Sequence, residues 1–141
     1  MADIAAIRSG IQTRLKTISA LGSHVYDRWP DQIPDTPAAV VLPSDAEYEQ
    51  NFGNGRTAKM GFEVYLFVSL AAGYAQAQTK LDPLLATSST GGVYGAIHAD
   101  RRLNSLVDKV FVKGHRNYDQ VDAGDGVAYA AAVVDLEVWQ S

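Results

Sequence analysis

From the start of the chain, apolar residues recur at spacings of three and four: Ile4, Ile7, Ile11, Leu15 and Ile18. That is one stripe of an amphipathic helix. Arg8, Gln12, Arg14 and Lys16 fall off the stripe. Asp3 precedes it as an N-cap, and Gly22 stands where a terminating glycine belongs. The spacing predicts a helix over residues 3 to 21. Residues 24 to 29 (HVYDRW) are β-branched and aromatic and end at Pro30, which predicts a short strand. Pro30, Pro34 and Pro37 follow within eight residues. Proline has no N–H for a sheet ladder, so this stretch predicts an extended, unpaired crossing. The run AAVVL (38 to 42) predicts a strand closing at Pro43.

A period of two then takes over. Residues 46 to 52 and 57 to 71 flank GNGR, where Asn54-Gly55 is a hairpin signal because both residues accept positive φ. In the longer strand Met60, Phe62, Val64, Leu66, Val68 and Leu70 share one face, which must meet a core. Gly61, Glu63, Tyr65, Phe67 and Ser69 share the other, a mixture suited to a partly covered surface. Residues 74 to 88 predict a helix with Leu81, Leu84 and Leu85 inward, kinked or restarted at Pro83. A shorter helix is predicted at 92 to 99. Residues 107 to 118 and 126 to 139 predict a second hairpin across DQVDAGD. In its last strand Ala128, Ala130, Ala132, Val134, Leu136 and Val138 lie on one face, and the three alanines allow a helix to approach closely. The reading is a single α+β domain over residues 1–141, of order α-β-β-β-β-α-α-β-β, with a mostly antiparallel sheet and helices chiefly on one face.

Composition narrows the function. The chain has 141 residues, 47% hydrophobic and 20% charged, the balance of a soluble globular domain. Its net charge of −4 argues against a dedicated nucleic-acid binder, which carries a basic face. Without cysteine there is no disulfide framework and no thiolate chemistry. Neither a signal peptide nor a membrane span is expected.

No motif assembles an active site, so no catalytic, metal or cofactor-binding residue is assigned, no cofactor is expected, and the chain reads as a non-enzyme. His24, His98 and His115 lack ligand-spaced partners. GNGR (53 to 56) lacks the lysine and spacing of a phosphate loop. Asp119, Asp122 and Asp125 recur every third residue before Gly126, but a calcium loop needs acids at alternate positions and a later Glu. Turn-forming Asp and Gly explain that stretch as a solvated loop.

Four stretches together carry a resemblance. VYDRWPDQIPDTPAAVVLPSD (25 to 45) follows the N-terminal helix. GFEVYLFVSL leads straight into AQAQTKLDPLLA. GGVYGAIHADRRLNSLVDKVFV joins a short helix, a charged turn and a strand. YDQVDAGDGVAYAAAVVDLEVWQ closes the chain. In these patterns of element and turn, over most of its length, the chain resembles the tail terminator (minor tail or tail-completion) proteins of long, non-contractile-tailed bacteriophages. It departs from them where Asn104-Ser105 stands in place of a glycine-containing turn.

The resemblance implies a virion protein at the head-proximal end of the tail. It would form a ring, expected to be a homohexamer, that caps the tail tube, ends its polymerisation and offers the attachment surface for the head. The implied partners are further copies of itself, the tail tube protein and the head–tail connector or neck protein, with DNA only in transit and no membrane. Candidate contacts are Trp29, Pro30, Pro34, Tyr65 and Phe67, with the basic Arg56, Arg101, Arg102 and Arg116. A duplex slides past neutral or acidic walls, so Asp45, Glu47, Glu49, Asp119, Asp122 and Asp125 are candidate pore lining. The proline-bounded segment reads equally as a rigid arm to a neighbour or as a plain connector. Two alternatives stand beside this reading: a head-completion or neck protein, and a small-ligand-binding or enzymatic α+β domain with its site under the proline-rich connector.

Overall fold

The computed structural model describes residues 3–30, 36–47, 58–71, 73–87, 91–122 and 128–140. Along them run α1 (Ile4–Leu15), β1 (Val25–Tyr26), β2 (Ala38–Glu47), β3 (Ala58–Ser69), α2 (Tyr74–Leu85), α3 (Val93–His98), β4 (Lys109–Asp122) and β5 (Ala128–Gln140). The strands form one five-stranded sheet in the order β1-β2-β3-β5-β4. All neighbours are antiparallel except β1 and β2. The fold is α+β, as the alternation and helical stripes imply.

Central β3 explains why the sheet has two unlike faces. Met60, Phe62, Val64, Leu66 and Val68 point to one side and are buried, joined there by Ala130, Ala132, Val134, Leu136 and Val138 of β5. All three helices cover this side. Ile7, Ile11 and Leu15 of α1, Ala77, Leu81 and Leu84 of α2, and Val93, Ala96 and Ile97 of α3 enter the same core. The small side chains of Ala130 and Ala132 lie in the strand against which α2 packs.

α1 is shorter than its apolar stripe. The α-helix stops at Leu15, and tighter i→i+3 bonds carry the chain on, from Thr17 N to Arg14 O at 3.2 Å and from Ile18 N to Leu15 O at 3.0 Å. Thr17 Oγ1 also donates to Arg14 O at 2.6 Å, competing for the carbonyls that a longer helix would use. Ile18 and Leu21 are still buried, and Gly22 ends the run at φ 53° as the stop glycine expected there. α2 runs two residues past Pro83 before ending.

The strands expected at 38–42 and 46–52 are joined. β2 passes through Pro43 to Glu47, with a register shift between Pro43 and Ala46. Proline is tolerated because β1 pairs only with Ala39 and Val40, leaving the outer side of β2 an edge at Pro43 among the described residues. On the opposite edge β4 carries two irregularities, between Val112 and Gly114 and between Arg116 and Asp119. Gly114 (φ 155°) and Asn117 (φ 57°) sit at them. Such bulges twist an edge strand away from unwanted pairing. β4 runs on through Asp119–Asp122, the first four residues of the stretch expected as a loop, because they keep their pairing with Ala128–Ala131 of β5. The rest of that stretch, the GNGR turn and Pro34 lie outside the described residues.

Candidate functional site: the open face of the sheet

The side of the sheet away from the helices divides into an aromatic end and a charged end. At the aromatic end Val40, Phe67, Tyr129 and Ala131 form a second buried cluster, flanked by Tyr26, Leu42, Tyr65 and Val121. Trp29, carried by the segment after β1, lies over it. Its ring is 5.0 Å from Tyr65 and 5.9 Å from Phe67, and Phe67 meets Tyr129 edge-on at 5.8 Å. Phe67 is thereby only 5% exposed, while Trp29 itself remains 52% exposed. An exposed indole over a ring of aromatics is the kind of anchor that protein interfaces favour.

The charged end begins at Tyr65. Its hydroxyl donates to Glu63 Oε2 at 2.8 Å, and this hydrogen bond, with burial second, raises the phenol above its usual pKa. The same Glu63 oxygen accepts from Arg116 Nη2 at 2.7 Å, and Arg116 Nε donates to Asp135 Oδ2 at 3.0 Å. The bond to Asp135 is the main reason that the guanidinium holds its proton still more firmly than usual. Further along, Lys59 lies 3.8 Å from Glu47 and 3.7 Å from Glu137, and Lys113 lies 3.5 Å from Glu137. Trp139 Nε1 donates to Glu137 Oε1 at 2.7 Å.

A groove of about 370 Å³ opens in this charged end, lined in part by Asp45, Glu47, Lys59, Lys113, Asp135 and Glu137. Two glycines make room for it. Gly61 pairs with Glu137 and Gly114 with Asp135, so β3 and β4 offer no side chain at those two positions. Any side chain at Gly61 would collide with the Asp45 carboxylate and the Ser44 hydroxyl. The register shift in β2 has swung both of them over the sheet.

Of the expected contact residues, Trp29, Tyr65, Phe67 and Arg116 come together on this face, and Pro30 adjoins Trp29. Arg101 and Arg102 do not. They sit in the turn between α3 and β4, on the helix side. Leu103, Asn104 and Ser105 there adopt φ of 49°, 57° and 67° in succession. Left-handed residues other than glycine cost about 1–2 kcal/mol each. Asp100 offsets part of that cost, its Oδ2 accepting from Asn104 N at 2.7 Å. Arg101 Nη2 lies 2.6 Å from His98 Nδ1, and His98 stacks on Tyr94 at 3.8 Å. Burial, then the charges of Arg101 and Lys109, lower the His98 pKa. Arg56 lies outside the described residues.

The expected acidic lining splits between the two ends of the sheet. Glu47 pairs in register with Lys59, whereas Asp119 lies beside Ala131, level with Phe67. Eight residues of β3 separate these levels, about 26 Å at strand rise. Asp119 is exposed, its Oδ1 accepting from Gln120 N at 2.7 Å. Asp45 and Glu47 line the groove instead of a free rim. Asp122 ends β4, its side chain undescribed, and Glu49 and Asp125 lie outside the described residues.

Glu63, Asp135, Glu137, Lys59 and Lys113 were not singled out from sequence. Their signal was the polar alternate positions of β3 and β5, which meet only once the register sets Glu63 beside Asp135 and Gly61 beside Glu137. Among the described residues no group of His, Asp and Glu is arranged to hold a metal ion, and no helix is long and apolar enough to cross a membrane. Chemically the face is a rigid display of paired charges and aromatic rings.

No protein-family model matches the chain, and no curated protein matches it in sequence. A solved structure with 18% sequence identity aligns over 96% of this chain and 95% of its own at a TM-score of 0.48. So loose a likeness carries no argument about function.

Proposed function

We propose that the protein is a structural subunit of a phage tail terminator. In this reading its copies form a ring, of six, that caps the tail tube at the head-proximal end, halts its growth and receives the neck of the head. The observation that carries the reading is the two-sidedness of the sheet. All three helices cover one face, while the other presents the half-exposed Trp29 over Tyr65 and Phe67 beside an ion-paired strip. A face so ordered, with fixed charges and little rotamer freedom left to lose, suits docking against a protein. The four sequence stretches supply the particular family.

The genome passes along the axis of such a ring. Asp119, near the far end of β4 on an acidic chain, would face the duplex, while the basic residues meet protein. Assembly of tails with the chain depleted tests the reading. Tubes that overgrow their set length are expected. Tubes of normal length that fail to join heads would favour the neck protein, and normal tails joined normally to heads would overturn both.

A further inference from the structure

Charge is segregated between the two sides of this acidic chain. The groove on the open face sets four carboxylates against Lys59 and Lys113, with Arg116 held on the Asp135 carboxylate. Asp45 is the one that no cation reaches among the described residues, its Oδ1 accepting only from the Ser44 hydroxyl at 3.1 Å. The opposite side is basic. α1 has no acid between Ile4 and Leu15, yet carries Arg8 and Arg14 and is capped by Lys16. The α3–β4 turn adds Arg101 and Arg102. Against these five cations stand the N-cap Asp3, with Asp100 and Asp108.

The two basic elements form one surface. Gly10 of α1 lies so close to the turn that a methyl group there would sit 3.4 Å from Leu103 and Leu106, and Arg14 Nε donates to Ala96 O of α3 at 3.0 Å. Arg102 stands exposed on this surface with no ion pair among the described residues, at the start of three successive left-handed residues. A strained backbone persists only where its surroundings enforce it, and such strain concentrates at functional segments.

We infer that the acidic groove of the open face receives the Arg102 turn of a second copy of this chain. This rests on the ring reading and names the contact within it. The groove and the turn lie on opposite sides of the sheet, so the contact is head-to-tail. Each copy keeps one groove and one turn available, so the contact passes from copy to copy and closes into a ring when the rotation per copy allows it. Asp45 and Glu47 thereby belong to the junction between copies, not to the axial channel. The incoming guanidinium enters beside Asp45, whose charge is unmet, while Lys59 and Lys113 hold Glu137 in place. A planar fork of donors suits carboxylates better than an ammonium does.

Sedimentation of the full chain over a concentration series up to about 1 mM, where association is worth about 4 kcal/mol, tests the contact. Arg102→Asp and Asp45→Arg are both surface changes, and circular dichroism checks that each variant folds. Wild type is expected to associate, less so as salt rises from about 0.1 M to about 1 M and the screening length falls to about 3 Å. Each single variant should lose association about tenfold or more, through like-charge contact, and the two changes in one chain should restore it. Wild type that associates while both variants associate equally well would overturn this contact and leave the ring to another face. Wild type that stays monomeric throughout would also overturn it. The ring reading is then judged separately, by the length of depleted tails.

Discussion

Val64 and Tyr65 are neighbours on the central strand and live in different worlds. Val64 is wholly buried under the helices, among apolar side chains that come mostly from alternating or helical patterns. Tyr65 looks the other way, with Trp29 against its ring and Glu63 on its hydroxyl. The helix-covered face is held by area removed from water, which is non-directional and needs no specific partner. The open face is held by a few specific contacts whose largest member, Trp29, is still half in solvent. The first face builds the fold, and the second leaves its largest ring half in solvent.

The largest loss is expected from a charge on the covered face. Val64→Asp should cost about 4 kcal/mol or more, since an unpaired carboxylate would sit among Leu66, Phe62 and Leu136. Urea unfolding measures it, and a soluble variant of near-normal stability would show that the faces are assigned the wrong way round. Next comes Phe67→Ala, expected to cost about 3 kcal/mol because the aromatic end of the open face is itself a small core. A loss below about 1 kcal/mol would mean that Trp29 does not shield that cluster in solution. Trp29→Ala should cost only about 1 kcal/mol, the scale of one aromatic contact, yet should weaken binding of the subunit to its neighbours far more than it weakens the fold.

The smallest effect concerns the tie between α2 and the edge strand. Tyr118 donates to Asp82 Oδ1 at 2.6 Å, and burial, followed by that hydrogen bond, raises the phenol from 10.0 to about 12. The unfolded chain therefore gives up this proton first. The contribution is complete below pH 10 and fades as pH rises toward 12. Melting curves of wild type and Tyr118→Phe should differ in their slope against pH only in that window. Parallel curves would show that the tie is absent.

The covered face was legible because periodicity reports burial. The stripe Ile7, Ile11, Leu15, Ile18 and the alternation Phe62, Val64, Leu66 each repeat at the period of their element, whatever the fold around them. β2 was misjudged at Pro43 because a proline's cost depends on whether a strand lies beside it, and the two-residue β1 leaves that edge open. The open face was half legible. Tyr65 and Phe67 stood out as aromatics at polar positions, and Trp29 as an aromatic beside prolines, but their meeting depends on a connector's path. Arg116 stood out as a basic candidate, but its pairing with Glu63 and Asp135 was hidden, because it needs the register of three strands at once. Arg101 and Arg102, adjacent in sequence to an ordinary-looking turn, gave no hint of the left-handed backbone that follows them.

The proposed ring requires the open face to be buried between copies at the end of a tail. Cryo-electron microscopy of the head-proximal tail end measures this directly. A closed ring matching the tube's symmetry, with Trp29 and the Asp45 groove covered by the next copy, is the predicted result. A single copy at the tail end, or a ring in which that face of the sheet stays open to solvent, would contradict it.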